Sequence, residues 1–184
     1  MREIKSNADV EPCLCVVMPV YNEGATVVEI VTAVLAQRPV QQLIIVDDCS
    51  TDGSWEKLQA AARSDARISL FRHQANQGKG SALRTAFAGV ASPHVIIQDA
   101  DLEYDPSEYH RLLAPMLAGQ ADVVFGSRFI GSEARRVLYY WHSVGNKFLT
   151  MFSNMATNLM LTDIETCYKA FRRDVIQKVT IEES

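Results

Sequence analysis

Strand-like apolar runs alternate with helix-like amphipathic stretches from residue 14 to residue 125, and this alternation limits the fold more than any other feature of the chain. Residues 14–18 (ending at Pro19), 43–46, 68–72, 94–98 and 121–125 are short, apolar and mostly rich in β-branched residues, and are predicted strands. Residues 25–36, 51–63, 79–90 and 106–117 carry helical spacing. Ser50 is the predicted cap of the second helix, and Pro106 sits in the first turn of the fourth. Strict alternation of this kind predicts an α/β protein with a mostly parallel central sheet flanked by helices. After residue 125 the pattern changes. Residues 126–136 form a polar, basic loop, 137–161 a long helix, and 166–171 a returning strand.

The chain has 184 residues, 48% hydrophobic and 22% charged, which is the balance of one globular domain with a real core. Residues 1–12 are polar and are expected to be a flexible N-terminal segment ahead of a domain spanning 13–184. A net charge of −4 gives no global field for nucleic acid, although Arg135-Arg136 and Arg172-Arg173 are locally basic. Cys13, Cys15, Cys49 and Cys167 have no zinc spacing and read as free thiols of a reducing compartment. The two-residue separation of Cys13 and Cys15 predicts one shared strand face. There is no apolar signal segment and no run of 18 apolar residues. The expected location is cytoplasmic, with peripheral contact at the inner face of a membrane. A homo-oligomer is compatible with these features.

In open α/β sheets ligands bind beyond the carboxyl ends of the strands. Those ends read Pro19-Val20-Tyr21-Asn22-Glu23-Gly24, Asp47-Asp48-Cys49-Ser50-Thr51-Asp52-Gly53, Gln98-Asp99-Ala100-Asp101-Leu102-Glu103 and Gly126-Ser127-Arg128. Polar side chains therefore gather along one sheet edge. Gly78-Lys79-Gly80 fits neither the P-loop nor the dinucleotide pattern, since Leu83 stands where the third glycine of G-x-G-x-x-G would be. Asp99-x-Asp101 is either a solvated turn or a pair of hard oxygen ligands for Mg²⁺ or Mn²⁺, with Glu103 as a further ligand. A metal there bridges a diphosphate and neutralises a leaving group. Asp47-Asp48 reads as a helix-capping turn or as a carboxylate for a base or ribose. Tyr21 is a half-buried core residue or a stacking platform. Lys79 and Arg128 are solvated charges or phosphate donors.

Taken in order, these blocks resemble the family 2 glycosyltransferases, and within them the dolichyl-phosphate mannosyltransferase-like branch. Asn76-Gln77-Gly78-Lys79-Gly80 and the stretch from Asp163-Ile164-Glu165-Thr166-Cys167-Tyr168 to Arg172 complete the match, which covers about residues 13–173. The resemblance implies a GT-A fold and inverting transfer from a nucleotide sugar to a polyprenyl phosphate. It implies that Pro19, Tyr21, Glu23 and Asp48 hold the nucleoside, and that Asp99 and Asp101 form the metal–diphosphate motif. Glu103 stands where relatives often carry glutamine, and Arg128 matches an arginine near the donor and acceptor phosphates. Family members usually continue further, so the domain is expected to be truncated at its C-terminus.

Together these readings give Pro19, Tyr21, Glu23, Asp48, Lys79 and Asp99 as donor-binding residues, and Asp99, Asp101 and Glu103 as metal ligands. The catalytic set is Asp101, Arg128, Asp163 and Glu165. The expected partners are a nucleotide-sugar donor, a lipid-phosphate acceptor and a membrane surface. Two other functions fit the same residues. One is transfer to a sugar hydroxyl, which needs a general base such as Asp163 or Glu165. The other is a nucleotide-binding module without turnover. Leu138, Trp141, Phe148, Phe152, Met155 and Leu159 follow helical spacing and line either a core-packed helix or one lying on a bilayer behind Arg135 and Arg136.

Overall fold

The computed structural model describes residues 6–127, 140–164, 166 and 168–181, with the side chains of residues 140–143 outside that description. Six strands form one sheet among the described residues: β1 Leu14–Val20, β2 Val40–Asp47, β3 Ile68–Arg72, β4 His94–Ile97, β5 Val123–Phe125 and β6 Lys169–Arg172. Their order is β3-β2-β1-β4-β6-β5. The pairs β1–β2, β2–β3 and β1–β4 are parallel, while β6 runs antiparallel to both β4 and β5. The helices are α1 Val27–Leu35, α2 Ser54–Ser64, α3 Lys79–Ala88, α4 Tyr109–Leu117, α5 Tyr140–Thr157 and the short α6 Arg173–Ile176.

Both faces of the sheet are covered, so β1 is apolar throughout while its side chains alternate between two cores. Leu14, Val16, Met18 and Val20 pack with Ile30 and Val34 of α1, Leu58 of α2 and Leu113 of α4. Cys15 and Val17 pack with Ile44, Val46 and the α3 residues Ala82 and Ala86. Cys13 and Cys15 do not share a face: Cys13 packs against the first core and Cys15 lies in the second. Cys13 precedes β1, and its N–H and that of Leu14 both donate to Pro39 O, so the strand alternation does not extend to it. Burial raises the Cys15 thiol to about 12, so it stays protonated.

β1 runs through Pro19 rather than ending there. Val17 O accepts from Gln98 N on the β4 side, and Val20 O accepts from Asp48 N on the β2 side. By alternation Pro19 faces β4, whose pairing with β1 already ended at Val17 and Ile97. The proline therefore removes no ladder bond. β1 and β4 part at this point, where the strand order reverses, and a crevice forms there.

Other boundaries shift for local reasons. α2 begins at Ser54 rather than Thr51, because Asp52 Oδ1 accepts from Ser54 N at 3.1 Å and Gly53 turns the chain at φ 87°. Ser50 is not its cap; its hydroxyl accepts from Asn22 N instead. Pro106 opens a 3-10 turn, Pro106–Glu108, ahead of α4. The returning strand starts at Lys169 and inserts between β4 and β5. Within the segment expected to be flexible, Asn7 is buried and donates to Gln37 Oε1 and Pro106 O while accepting from His110 N, and Val10 joins the first core.

Candidate active site at the strand ends

The loops after β1, β2, β3 and β4 meet at the crevice and are bonded to one another. Asn22 N donates to Ser50 Oγ, Glu23 N to Ser54 Oγ, and Gly24 N to Asp52 Oδ2 at 2.7 Å. Asn22 Oδ1 accepts from Thr51 N in return. Only glycine fits at position 24, since a Cβ there would lie 2.9 Å from both Asp52 O and Asp52 Oδ2. The bonds from Ser54 and Gly24 hold the Asp52 carboxyl below its ordinary range. Asn22, Cys49 and Leu102 adopt positive φ of 56°, 65° and 63°. One lies in each loop following β1, β2 and β4, and the fourth non-glycine case among the described residues, Asn158 at 55°, follows α5.

Asp99 and Asp101 stand on the loop after β4, and that loop hangs from a residue the sequence reading did not single out. Gln98 is fully buried. Its Nε2 donates to Asp99 O at 3.1 Å and Tyr104 O at 3.2 Å, fastening both ends of the loop. Its Oε1 accepts from the hydroxyls of Tyr109 at 2.9 Å and Tyr168 at 3.0 Å. Burial raises both tyrosines, so they remain donors. An amide at an inward strand position was the available signal; its four partners lie up to 70 residues away.

Asp99 Oδ1 lies 2.6 Å from Lys79 Nζ, bringing the two predicted residues together. Asp101 Oδ1 accepts from Glu103 N at 2.9 Å, which shapes the turn. Among the described residues no three His, Cys, Asp or Glu side chains gather to hold a metal, so Glu103 does not complete a cage with Asp99 and Asp101. Two carboxylates on one short loop fit a hard ion that takes its remaining ligands from water and substrate phosphate, and do not fit a closed all-protein site.

Asp48 is buried and turned inward. It accepts from His73 Nδ1 at 2.6 Å, Gln77 N at 3.0 Å and Gly78 N at 2.8 Å, and His73 Nε2 meets the Thr85 hydroxyl at 2.9 Å. These bonds tie the end of β2 to the start of α3. Asp47 takes the turn role, accepting from Ser50 N and pairing with Arg72 Nε at 3.0 Å. Arg72 also donates to Ser50 O and lies 4.9 Å over the Trp55 ring. Tyr21 is half exposed at the rim, Pro19 lies in β1 beneath it, and Glu23 accepts from the Thr26 hydroxyl.

Asp163 is buried and accepts from Asn146 Nδ2 at 2.6 Å; the Thr150 hydroxyl donates to Asn146 Oδ1 and accepts from Ile164 N. Arg128, Arg135, Arg136 and Glu165 lie outside the described residues.

A mostly parallel sheet whose β1–β4 crevice is edged by bonded loops, with two carboxylates after β4, is a GT-A-type fold. Residues 15–180 match glycosyl transferase family 2, and the chain belongs to that family. It is 32% identical over 175 residues to the low-salt glycan biosynthesis hexosyltransferase of Haloferax volcanii, covering 93% of this chain and 41% of that protein. It is 29% identical over 170 residues to the polyprenol monophosphomannose synthase of Mycolicibacterium smegmatis, covering 90% and 64%. It is 31% identical over 168 residues to the undecaprenyl-phosphate 4-deoxy-4-formamido-L-arabinose transferase of Pseudomonas aeruginosa, covering 88% and 48%. The chain thus spans about half the length of these relatives, and the names of the latter two agree with the polyprenyl-phosphate branch indicated by the motifs. In fold it is similar to glucosyl-3-phosphoglycerate synthase from Mycobacterium tuberculosis, in complex with Mn²⁺ and UDP-glucose, with a TM-score of 0.74 at 19% identity, covering 100% of this chain and 66% of that one. A mannosyltransferase from Pyrobaculum calidifontis, in complex with GDP-mannose and Mn²⁺, gives 0.66 at 18% identity, covering 96% and 49%.

Proposed function

We propose that this chain is the donor-binding, catalytic domain of an inverting glycosyltransferase that moves a sugar from a UDP- or GDP-sugar to a polyprenyl or dolichyl phosphate. The observation that carries the proposal is the Asp99–Asp101 loop, fixed at both ends by buried Gln98 and opening at the β1–β4 crevice beside Lys79. In this reading Asp99 and Asp101 hold Mg²⁺ or Mn²⁺, which when bound offsets the charge of the departing diphosphate. Tyr21 offers its ring to the base, Lys79 a charge-assisted bond to phosphate, and Arg128 a further cation for the phosphates. A phosphate acceptor is already ionised and needs little base assistance. The burial of Asp163 and its bond to Asn146 favour such an acceptor over a sugar hydroxyl, which would need an accessible base. Because the acceptor is a lipid, the domain works at the surface of a bilayer, with α5 as the element that meets it.

The test is calorimetry of UDP and GDP binding with Mn²⁺. Asp99→Asn and Asp101→Asn should each weaken metal-dependent binding at least tenfold while leaving the melting temperature within a few degrees, because both side chains sit on a loop outside the cores. Unchanged metal-dependent affinity in both variants would sink the assignment.

A further inference from the structure

Lys79 is the first residue of α3, and its ammonium lies 2.6 Å from Asp99 Oδ1. The pair is not a chance surface contact. Lys79 follows Gly78, whose φ of 83° is open to glycine but strained for other residues. Gly78 N and Gln77 N are both held by buried Asp48, so the start of α3 is aimed at the β4 loop from the protein interior. Asp99 is itself only 14% exposed, whereas the Lys79 side chain is 50% exposed.

An ammonium and a divalent cation seek the same carboxylate oxygen, and they repel each other when brought to it together. We propose that Lys79 is an internal stand-in for the metal: it neutralises Asp99 in the absence of donor and is drawn off by the donor's diphosphate, so that metal and nucleotide bind as a coupled pair. This rests on the reading of Asp99 as a metal ligand. A metal arriving alone must displace Lys79 and leave it beside a doubly charged ion. A diphosphate arriving with the metal gives Lys79 a new anionic partner and removes that penalty. Coupling of this kind is reciprocal, so each ligand must raise the affinity for the other by the same factor.

The experiment is an electron paramagnetic resonance titration of Mn²⁺ into the full chain, without nucleotide and then with saturating UDP or GDP. It is run on the parent protein, Lys79→Gln, Lys79→Arg and Asp99→Asn. Lys79→Gln should bind Mn²⁺ alone more tightly, by roughly three- to tenfold for loss of a partly exposed competing charge. The same variant should bind UDP or GDP in the presence of Mn²⁺ more weakly, by roughly tenfold, for loss of a charge-assisted bond. Lys79→Arg keeps the charge and should keep the coupling. A lysine that merely supports the fold would not move the two affinities in opposite directions. Mn²⁺ affinity in Lys79→Gln that is equal to or below the parent's, while Asp99→Asn still abolishes binding, would overturn the stand-in role and leave the metal site intact. Mn²⁺ binding that is absent from every variant, or unchanged in Asp99→Asn, would overturn the metal site and the stand-in together.

Discussion

Three N–H groups converge on the buried carboxylate of Asp48, from His73, Gln77 and Gly78. An amide of the same shape offers one carbonyl oxygen where the carboxylate offers two. Asp48→Asn should therefore destabilise the protein by about 1–3 kcal/mol, the range for leaving buried donors short of an acceptor. It should also weaken nucleotide binding, because the loop it holds carries Lys79. Tyr21→Ala makes the contrast. Tyr21 is half exposed, so its loss should leave the urea midpoint unchanged while weakening UDP or GDP binding by about 1–3 kcal/mol if the ring stacks on the base. Equal loss of stability in the two variants, or nucleotide binding untouched in both, would contradict these assignments. The D-x-D pair and the charged residues near it were legible in the sequence because hard-ligand chemistry needs few residue types at short spacing. The partners were not. Asp48 meets residues 25 to 30 positions away, and no local pattern reports which of several donors a loop presents.

At the level of elements, β4 opens with His94, whose Nδ1 is buried with no hydrogen-bond partner among the described residues. It lies opposite Leu14 of β1 and Arg172 of β6. Desolvation, with the nearby Arg172 charge as a smaller cause, holds the folded imidazole below its ordinary value of 6.5. The unfolded chain takes up a proton near that value and the folded protein does not. His94 thus favours folding fully above about pH 6.5, and this contribution falls away as the pH drops from there through the lower folded pKa, then levels off. Urea midpoints measured from pH 8 to pH 5 should decline below 6.5, and His94→Gln should decline less steeply over the same window. Parallel curves would remove His94 from the account. The strands and helices around it were largely legible, since β-branched runs and 3.6-residue spacing are local properties. Exact ends were not. The start of α2 is decided by Asp52 and Gly53 rather than Ser50, and β1 continues through Pro19 because β4 has already left its side. The insertion of β6 between β4 and β5 is a long-range pairing with no signature in either strand.

Over the molecule as a whole, α5 is built the wrong way round for a helix that serves only to cover a sheet. Its polar residues Asn146 and Thr150 are buried and bonded to each other, with Asn146 also holding Asp163. Its apolar residues point outward: Phe148 is 57% exposed and Met155 74%, with Leu149, Met151 and Phe152 also open. The Phe148 and Phe152 rings lie 4.6 Å apart and form one patch. Phe148, Phe152, Met155 and Leu159 therefore lie outside both sheet cores of this domain. Among the described residues no helix is long and apolar enough to cross a membrane. A contiguous apolar face on a helix that does not span is suited to lying in the interface plane of a bilayer. Arg135 and Arg136 precede α5 in sequence, and Lys147 lies within it, so attraction to anionic headgroups should add to apolar burial. The protein should therefore float with vesicles containing anionic lipid at low salt and be released as salt screens the charges. Charge reversal at Arg135 and Arg136 should weaken this binding at low salt. Replacing Phe148 and Phe152 together with serine should reduce the bound fraction roughly tenfold or more, since each phenyl group buried from water is worth about 1.5–3 kcal/mol. Nucleotide binding should be unchanged in the serine variant, because the strand-end loops are separate from this face. Failure of the parent protein to float at low salt would end the docking role of α5 and leave the donor site as it stands. Loss of nucleotide binding in the serine variant would show instead that the outward face supports the fold.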